Sequence, residues 1–151
     1  MIRSFLIGFA TGQRSLTPLA IVSEAARRGR LDDGGAPRLL ASPWVTAAVG
    51  ALAAGEIVGD KLPSAPDRIV PAGMAVRLVT GGLVGAALAD REQRYLGAAL
   101  GVAGAVIGAH LGWRARMWAL RRWGQTPTGL VEDALTAGAA GWLVAGRARA
   151  A

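Results

Sequence analysis

Apolar stretches separated by short polar or charged runs set the pattern of the chain. The first apolar stretch covers residues 2–26 and is interrupted. Residues 2–12 are apolar, then Gly12-Gln13-Arg14-Ser15-Leu16-Thr17-Pro18 intervenes, and a second apolar piece runs to Ala26. Neither piece reaches the roughly 20 residues that a membrane-crossing helix needs. Together they predict one broken or re-entrant segment. Irregular backbone at membrane depth is tolerated only inside protein or beside a water-filled cavity. Four further segments follow at 44–62, 72–89, 95–113 and 128–144. Pro43 marks a helix start and Trp44 an interfacial anchor. Pro63, Pro66 and Pro71 stop one helix near Leu62 and open the next. The charged turn at 90–94 implies antiparallel neighbours. Gly124-Gln125-Thr126-Pro127 breaks the chain before the last segment.

The pattern predicts an all-α, polytopic membrane bundle of four to five segments, forming a single domain over residues 1–151. A soluble protein of this length could not easily hide so many apolar segments. An alanine-rich soluble bundle is the weaker alternative. The N-terminal apolar run lacks a small-residue cleavage site and is expected to be retained.

Composition sharpens this reading. The 151 residues are 52% hydrophobic and include 22 glycines. Gly97/Gly101 and Gly104/Gly108/Gly112 recur every four residues, a stripe suited to close helix packing. Gly55 and Gly59 form a shorter pair of the same kind. The chain has no cysteine, which excludes disulfides and thiolate metal sites. Its net charge of +7 comes from arginines gathered at segment ends, with Lys61 the single lysine. That distribution suits anionic lipid headgroups, and no nucleic-acid recognition motif accompanies it. Residues 114–123 carry Arg114, Arg116, Arg121 and Arg122 beside Trp118 and Trp123, with Trp113 just before. This is the signature of a helix end emerging into headgroups and bending along them. With five full spans the basic residues divide almost evenly between the two sides, so orientation is not set by charge.

The candidate chemistry lies in charges inside the apolar segments. Glu56 and Asp60 are four apart and share a helix face. An ionised carboxylate near the bilayer centre costs roughly 2.5–3.5 kcal/mol, so a cation or water should meet each. Arg14 falls in the first break, where it either is buried or snorkels to the headgroups. Arg77 lies early in the third segment. Glu132 and Asp133 lie near the start of the last, where the helix dipole accounts for part of their presence. Lys61, Asp67 and Arg68 sit in the proline turn. His110, the single histidine, reads as a structural hydrogen-bonder. No nucleophile–histidine–acid set, metal-ligand spacing, phosphate loop or dinucleotide fingerprint is visible. Neither an enzyme nor a cofactor is expected.

A weak internal repeat pairs Gly12-Gln13-Arg14 with Gly112-Trp113-Arg114, each followed by a segment with paired acids. If all five segments span, the two copies run in opposite directions, as in inverted-repeat transporters.

The chain resembles the bacterial integral-membrane family catalogued as domain of unknown function 4126. The resemblance is carried by Gly12-x-Arg14-Ser15 with Pro18, by Gly55-Glu56 followed by Asp60-Lys61-Leu62-Pro63, and by Pro66-x-Arg68-Ile69-x-Pro71. Arg77, Gly81 to Ala86 and Glu132-Asp133-Ala134 extend it over nearly the whole chain. It implies a small integral membrane protein, expected in the bacterial inner membrane, and supplies no mechanism.

Two functions are expected from the residues. In the first, Arg14, Glu56, Asp60, Arg77, Glu132 and Arg114 converge on a polar site that passes a small ion or solute. In the second, the same charges form a dry ion-pair network that fixes helix register in a scaffold or partner subunit. Lipid handling is a lesser alternative. Anionic lipids and a second copy of the chain are the expected partners.

Overall fold

The computed structural model describes residues 1–31, 35–59 and 70–148, and these form an all-helical bundle. Helices α1 (Ile2–Gln13) and α2 (Leu16–Arg27) come from the first apolar stretch. Helices α3 (Pro43–Gly59), α4 (Pro71–Ala87), α5 (Arg94–Trp123) and α6 (Gln125–Ala148) follow, with single 3-10 turns at Arg38–Ala41 and Arg91–Gln93.

The first break has a definite cause. Pro18 has no N–H to give the carbonyl of Arg14, four residues back, and its ring would clash with that carbonyl. The helix therefore cannot run continuously through Arg14. Arg14 is extended, with φ −137° and ψ 110°, and α2 starts afresh after Ser15. At the other breaks, Pro71 takes the first position of α4, where no N–H is needed. Gly124, at φ +79°, ends α5 in a conformation that disfavours any side chain.

Neighbouring residues fix the direction of each helix. A Cβ on Gly8 would strike the Gly101 backbone, and one on Gly12 would strike Ala105 to Ala109, so α1 and α5 are parallel. Gly85 meets Gly97 while Gly81 meets Gly101, so α4 and α5 are antiparallel. Arg3 donates to the Gly146 carbonyl at 2.6 Å and Arg14 reaches Asp133, which makes α6 antiparallel to α1. Ser15 meets Glu56 while Ser23 meets Leu40 and Thr46, so α2 and α3 are antiparallel.

One end of the bundle gathers Arg3, the Arg147–Asp90 pair, and the Gly35 amide, which donates to the Ala89 carbonyl at 2.9 Å. The chain enters α1 from this end and has returned to it soon after α2. Helices α1 and α2 thus form a hairpin with Arg14 and Ser15 at its tip. Each arm has 12 residues and is about 18 Å long. The core beneath the tip packs Ile7, Leu19 and Val22 against Val84, Leu88 and Leu143.

Several sequence expectations change here. Residues 95–113 and 114–123 are one uninterrupted 30-residue helix, not a span followed by a bend. Arg, Ala, Met and Leu all favour helix, and nothing after Gly112 breaks it before Gly124. Helix α6 starts at Gln125, because Pro127 is accommodated within its first turn. Glu132 and Asp133 then lie two turns in. The first turn holds no acid, so the dipole does not account for them. The paired copies Gly12-Gln13-Arg14 and Gly112-Trp113-Arg114 sit side by side on parallel helices, so their directions give no support to an inverted repeat. The hairpin turns the chain back once more, which is why the two run the same way. Gly55 and Gly59 have no described atom within 4 Å of an added Cβ and do not mark a close approach. The close approaches belong to Gly81, Gly85 and the α5 stripe. Helix α3 is described to Gly59, and its expected extension to Leu62 lies outside the described residues.

Candidate functional site

The hairpin tip exposes two helix ends inside the bundle. The last carbonyls of α1 and the first amides of α2 have no intrahelical partners, and leaving such groups buried and unpaired is costly. A charged side chain from another helix meets each end. The Glu56 carboxylate on α3 accepts from the Ser15 amide at 2.9 Å and the Ser15 hydroxyl at 2.7 Å through Oε1. Its Oε2 accepts from the Leu16 amide at 3.0 Å. Glu56 is thus an N-cap for α2 supplied by a different helix, and its charge complements the positive end of the helix dipole. On the other side, Arg77 of α4 donates through Nε to the Gly12 carbonyl at 3.1 Å. It also donates through Nη1 to its own Gly73 carbonyl at 2.9 Å. A cation therefore meets the negative end of α1.

Arg14 lies between these caps. It is fully buried, which decides against snorkelling. Its Nη2 is 2.7 Å from Asp133 Oδ1 on α6. One residue before Asp133, Glu132 Oε2 accepts from Arg116 Nη1 at 3.0 Å. Both members of that second pair are largely buried, at 9% and 13% exposure. In a low-dielectric interior such pairs are favourable only when geometry and hydrogen bonding are good. Gln13 lies over Gly112, where only a glycine leaves room for its amide.

The structure thus brings together Arg14, Glu56, Arg77 and Asp133, with Glu132 close by in the chain. Gly12 and Pro18 flank the tip, as their motif implied. Asp60, Lys61, Pro63, Pro66, Asp67 and Arg68 lie outside the described residues, while Pro71 opens α4. Arg114 is exposed on α5, and Arg116 takes the place expected for it. Trp44, Trp118 and Trp123 are exposed and Trp113 is half-buried. His110 is exposed and pairs with the Val106 carbonyl one turn back, a structural contact.

Three contributors carried too little signal in sequence. Ser15 stands where the chain restarts as helix before Pro18, the one clue to its capping geometry. Gln13 had no distinguishing pattern, and Arg116 read as one of the headgroup-facing arginines, because their partners lie across helix contacts.

Chemically, the junction can hold charge. Among the described residues no cluster of three His, Asp or Glu could hold a metal ion.

The family model described as "Domain of unknown function (DUF4126)" matches residues 2–147, and the chain belongs to that family. No curated protein and no solved structure matches it.

Proposed function

We propose that this member of the DUF4126 family is an integral membrane protein that passes a small ion, in the manner of a channel or carrier, along the charged junction at its hairpin tip. The observation that carries this reading is the meeting of two opposed helix ends with Arg14 and Asp133 inside an apolar bundle. Interrupted helices with buried charge are the means by which many transporters hold ions near the membrane midplane.

The apolar outer surface supports the membrane placement. Helix α5 is long and apolar enough to cross a bilayer. Helix α3 is apolar on every side, yet Ala53 is its single buried residue. Trp44, Val58, Leu135 and Trp142 are each more than half exposed. In water such a surface would drive aggregation, whereas hydrocarbon accepts it. In this reading α3, α4, α5 and α6 cross and the α1–α2 hairpin dips in and returns. The 17-residue helices α3 and α4 are about 25 Å long, slightly under the hydrocarbon thickness, a mismatch that local thinning covers. Arg3, Arg27, Arg28, Arg30, Arg91, Arg94 and Arg147 would then share one side, which the positive-inside tendency places in the cytoplasm of a bacterial inner membrane.

The scaffold reading keeps one specific support. Glu56 and Arg77 satisfy the hairpin's backbone ends, a structural duty sufficient to retain both. Reconstitution separates the two functions. Liposomes holding the protein are given an imposed potential and read for proton, sodium, potassium and chloride flux. Transport predicts flux above empty liposomes that Asp133→Asn abolishes below its own lowered melting point, where helical content is still that of the parent. Protein that is folded and passes none of these ions leaves the scaffold reading.

A further inference from the structure

Helices α5 and α6 touch little beyond their shared turn, and with α1 they enclose a cleft of about 810 Å³. This falls within the ~300–1,000 Å³ typical of small-molecule sites. Its walls are almost wholly apolar: Phe9 on α1, Trp118 and Ala115 on α5, and Leu135, Ala139 and Trp142 on α6. The charged groups on the wall, Arg116 and Glu132, neutralise each other. At the end nearest the α5–α6 turn the chemistry changes. Trp118 and Trp123 meet edge to face at 5.2 Å, and the Arg122 guanidinium lies 4.8 Å over the Trp118 ring. Arg121 and Arg122 are both exposed there.

We propose that this cleft binds one acyl chain of an anionic phospholipid, with the headgroup at Arg122 and Arg121. The proposal rests on the membrane placement above but not on ion transport. An apolar slot with a cationic, tryptophan-lined mouth matches an amphiphile with an anionic head. A second copy fits less well. A symmetric contact through this face would bring the two Arg121–Arg122 mouths together, and like charges disfavour that. The site differs from general lipid solvation because three helices bound it and one end carries selective charge.

The test uses the full chain in phosphatidylcholine vesicles. The emission of Trp142 and of Trp44 is read by difference, from Trp142→Phe and Trp44→Phe variants each compared with the parent, which leaves Trp118 and Trp123 at the mouth in place. A minor fraction of lipid carries bromines on its acyl chains, either as phosphatidylglycerol or as phosphatidylcholine. Bromine near a tryptophan quenches its fluorescence. For Trp142, half-maximal quenching should need about fivefold less brominated phosphatidylglycerol than phosphatidylcholine, the preference one nearby arginine supplies. Trp44, on α3 and away from the cleft, should respond to both alike. Arg122→Gln should remove the preference, and Ala139→Leu, which fills the slot, should weaken quenching by either lipid. Equal quenching of Trp142 by the two lipids would overturn the proposal. So would a dimer whose cross-links cover the cleft. If neither lipid quenches Trp44 or Trp142, the membrane placement itself is wrong.

Discussion

Glu56 holds Ser15 twice, through its amide at 2.9 Å and its hydroxyl at 2.7 Å, across 41 residues of chain. A carboxylate in an apolar helix thereby becomes the cap of a different helix. Replacing it should be graded. Glu56→Gln keeps one acceptor and should cost about 1 kcal/mol, while Glu56→Ala leaves both amides unpaired and should cost about 2–4 kcal/mol. Thermal unfolding in detergent measures both. Equal costs would show that charge, not hydrogen bonding, is what the tip needs.

The Arg14–Asp133 pair should behave as a unit. Arg14→Met alone strands a buried carboxylate, and Asp133→Leu alone strands a buried guanidinium. Each should lower stability by about 3–5 kcal/mol. The double variant should recover most of that loss. A double-mutant cycle reads the coupling directly, and additive losses would mean the two groups do not depend on each other.

Glycines should divide by helix. An alanine at Gly101 would drive its Cβ into the Gly81 backbone, so Gly101→Ala should separate α4 from α5 and cost several kcal/mol. Gly50 has open space at its Cβ on α3, so Gly50→Ala should stabilise by about 0.5–1 kcal/mol through helix propensity. Melting of the two variants compares them. A marked loss at Gly50 would reveal a partner on α3.

In a membrane the α1–α2 hairpin would have a topological signature. The chain lacks cysteine, so single cysteines report cleanly. In oriented vesicles Ile2→Cys, Arg28→Cys and Arg91→Cys should react with an impermeant maleimide from the same side, and Thr126→Cys from the other. If Ile2→Cys and Arg28→Cys label from opposite sides, the first segment crosses.

Much of this arrangement was legible in sequence. Periodic glycines foretold the α4–α5 seam, and the interruption before Pro18 foretold the broken segment. The all-helical class followed from apolar runs punctuated by proline and glycine. What sequence could not give was pairing across the bundle. Glu56 reads as one of two acids on a shared face awaiting a cation or water, yet what it caps is the start of another helix. In sequence the dipole explains part of the presence of Glu132 and Asp133, but α6 begins earlier than its proline suggests, and ion pairs account for both. The direction of α5 relative to α1 depends on whether residues 2–26 cross or return. Local pattern is the same in both cases.

Pro18 fixes where the hairpin turns, because its ring cannot follow Arg14 by four residues within one helix, so the tip is counted from the proline. A residue inserted between Gly12 and Pro18 would lengthen the break that sets α1 against α2. Either Arg14 would shift from Asp133 or the glycine face would shift from α5. An insertion beyond Leu31, the last core residue after α2, would change neither. Length in this protein is therefore constrained at its tip and free at its base. Related chains that differ in length should carry their extra residues where α2 has already returned, and none before the proline.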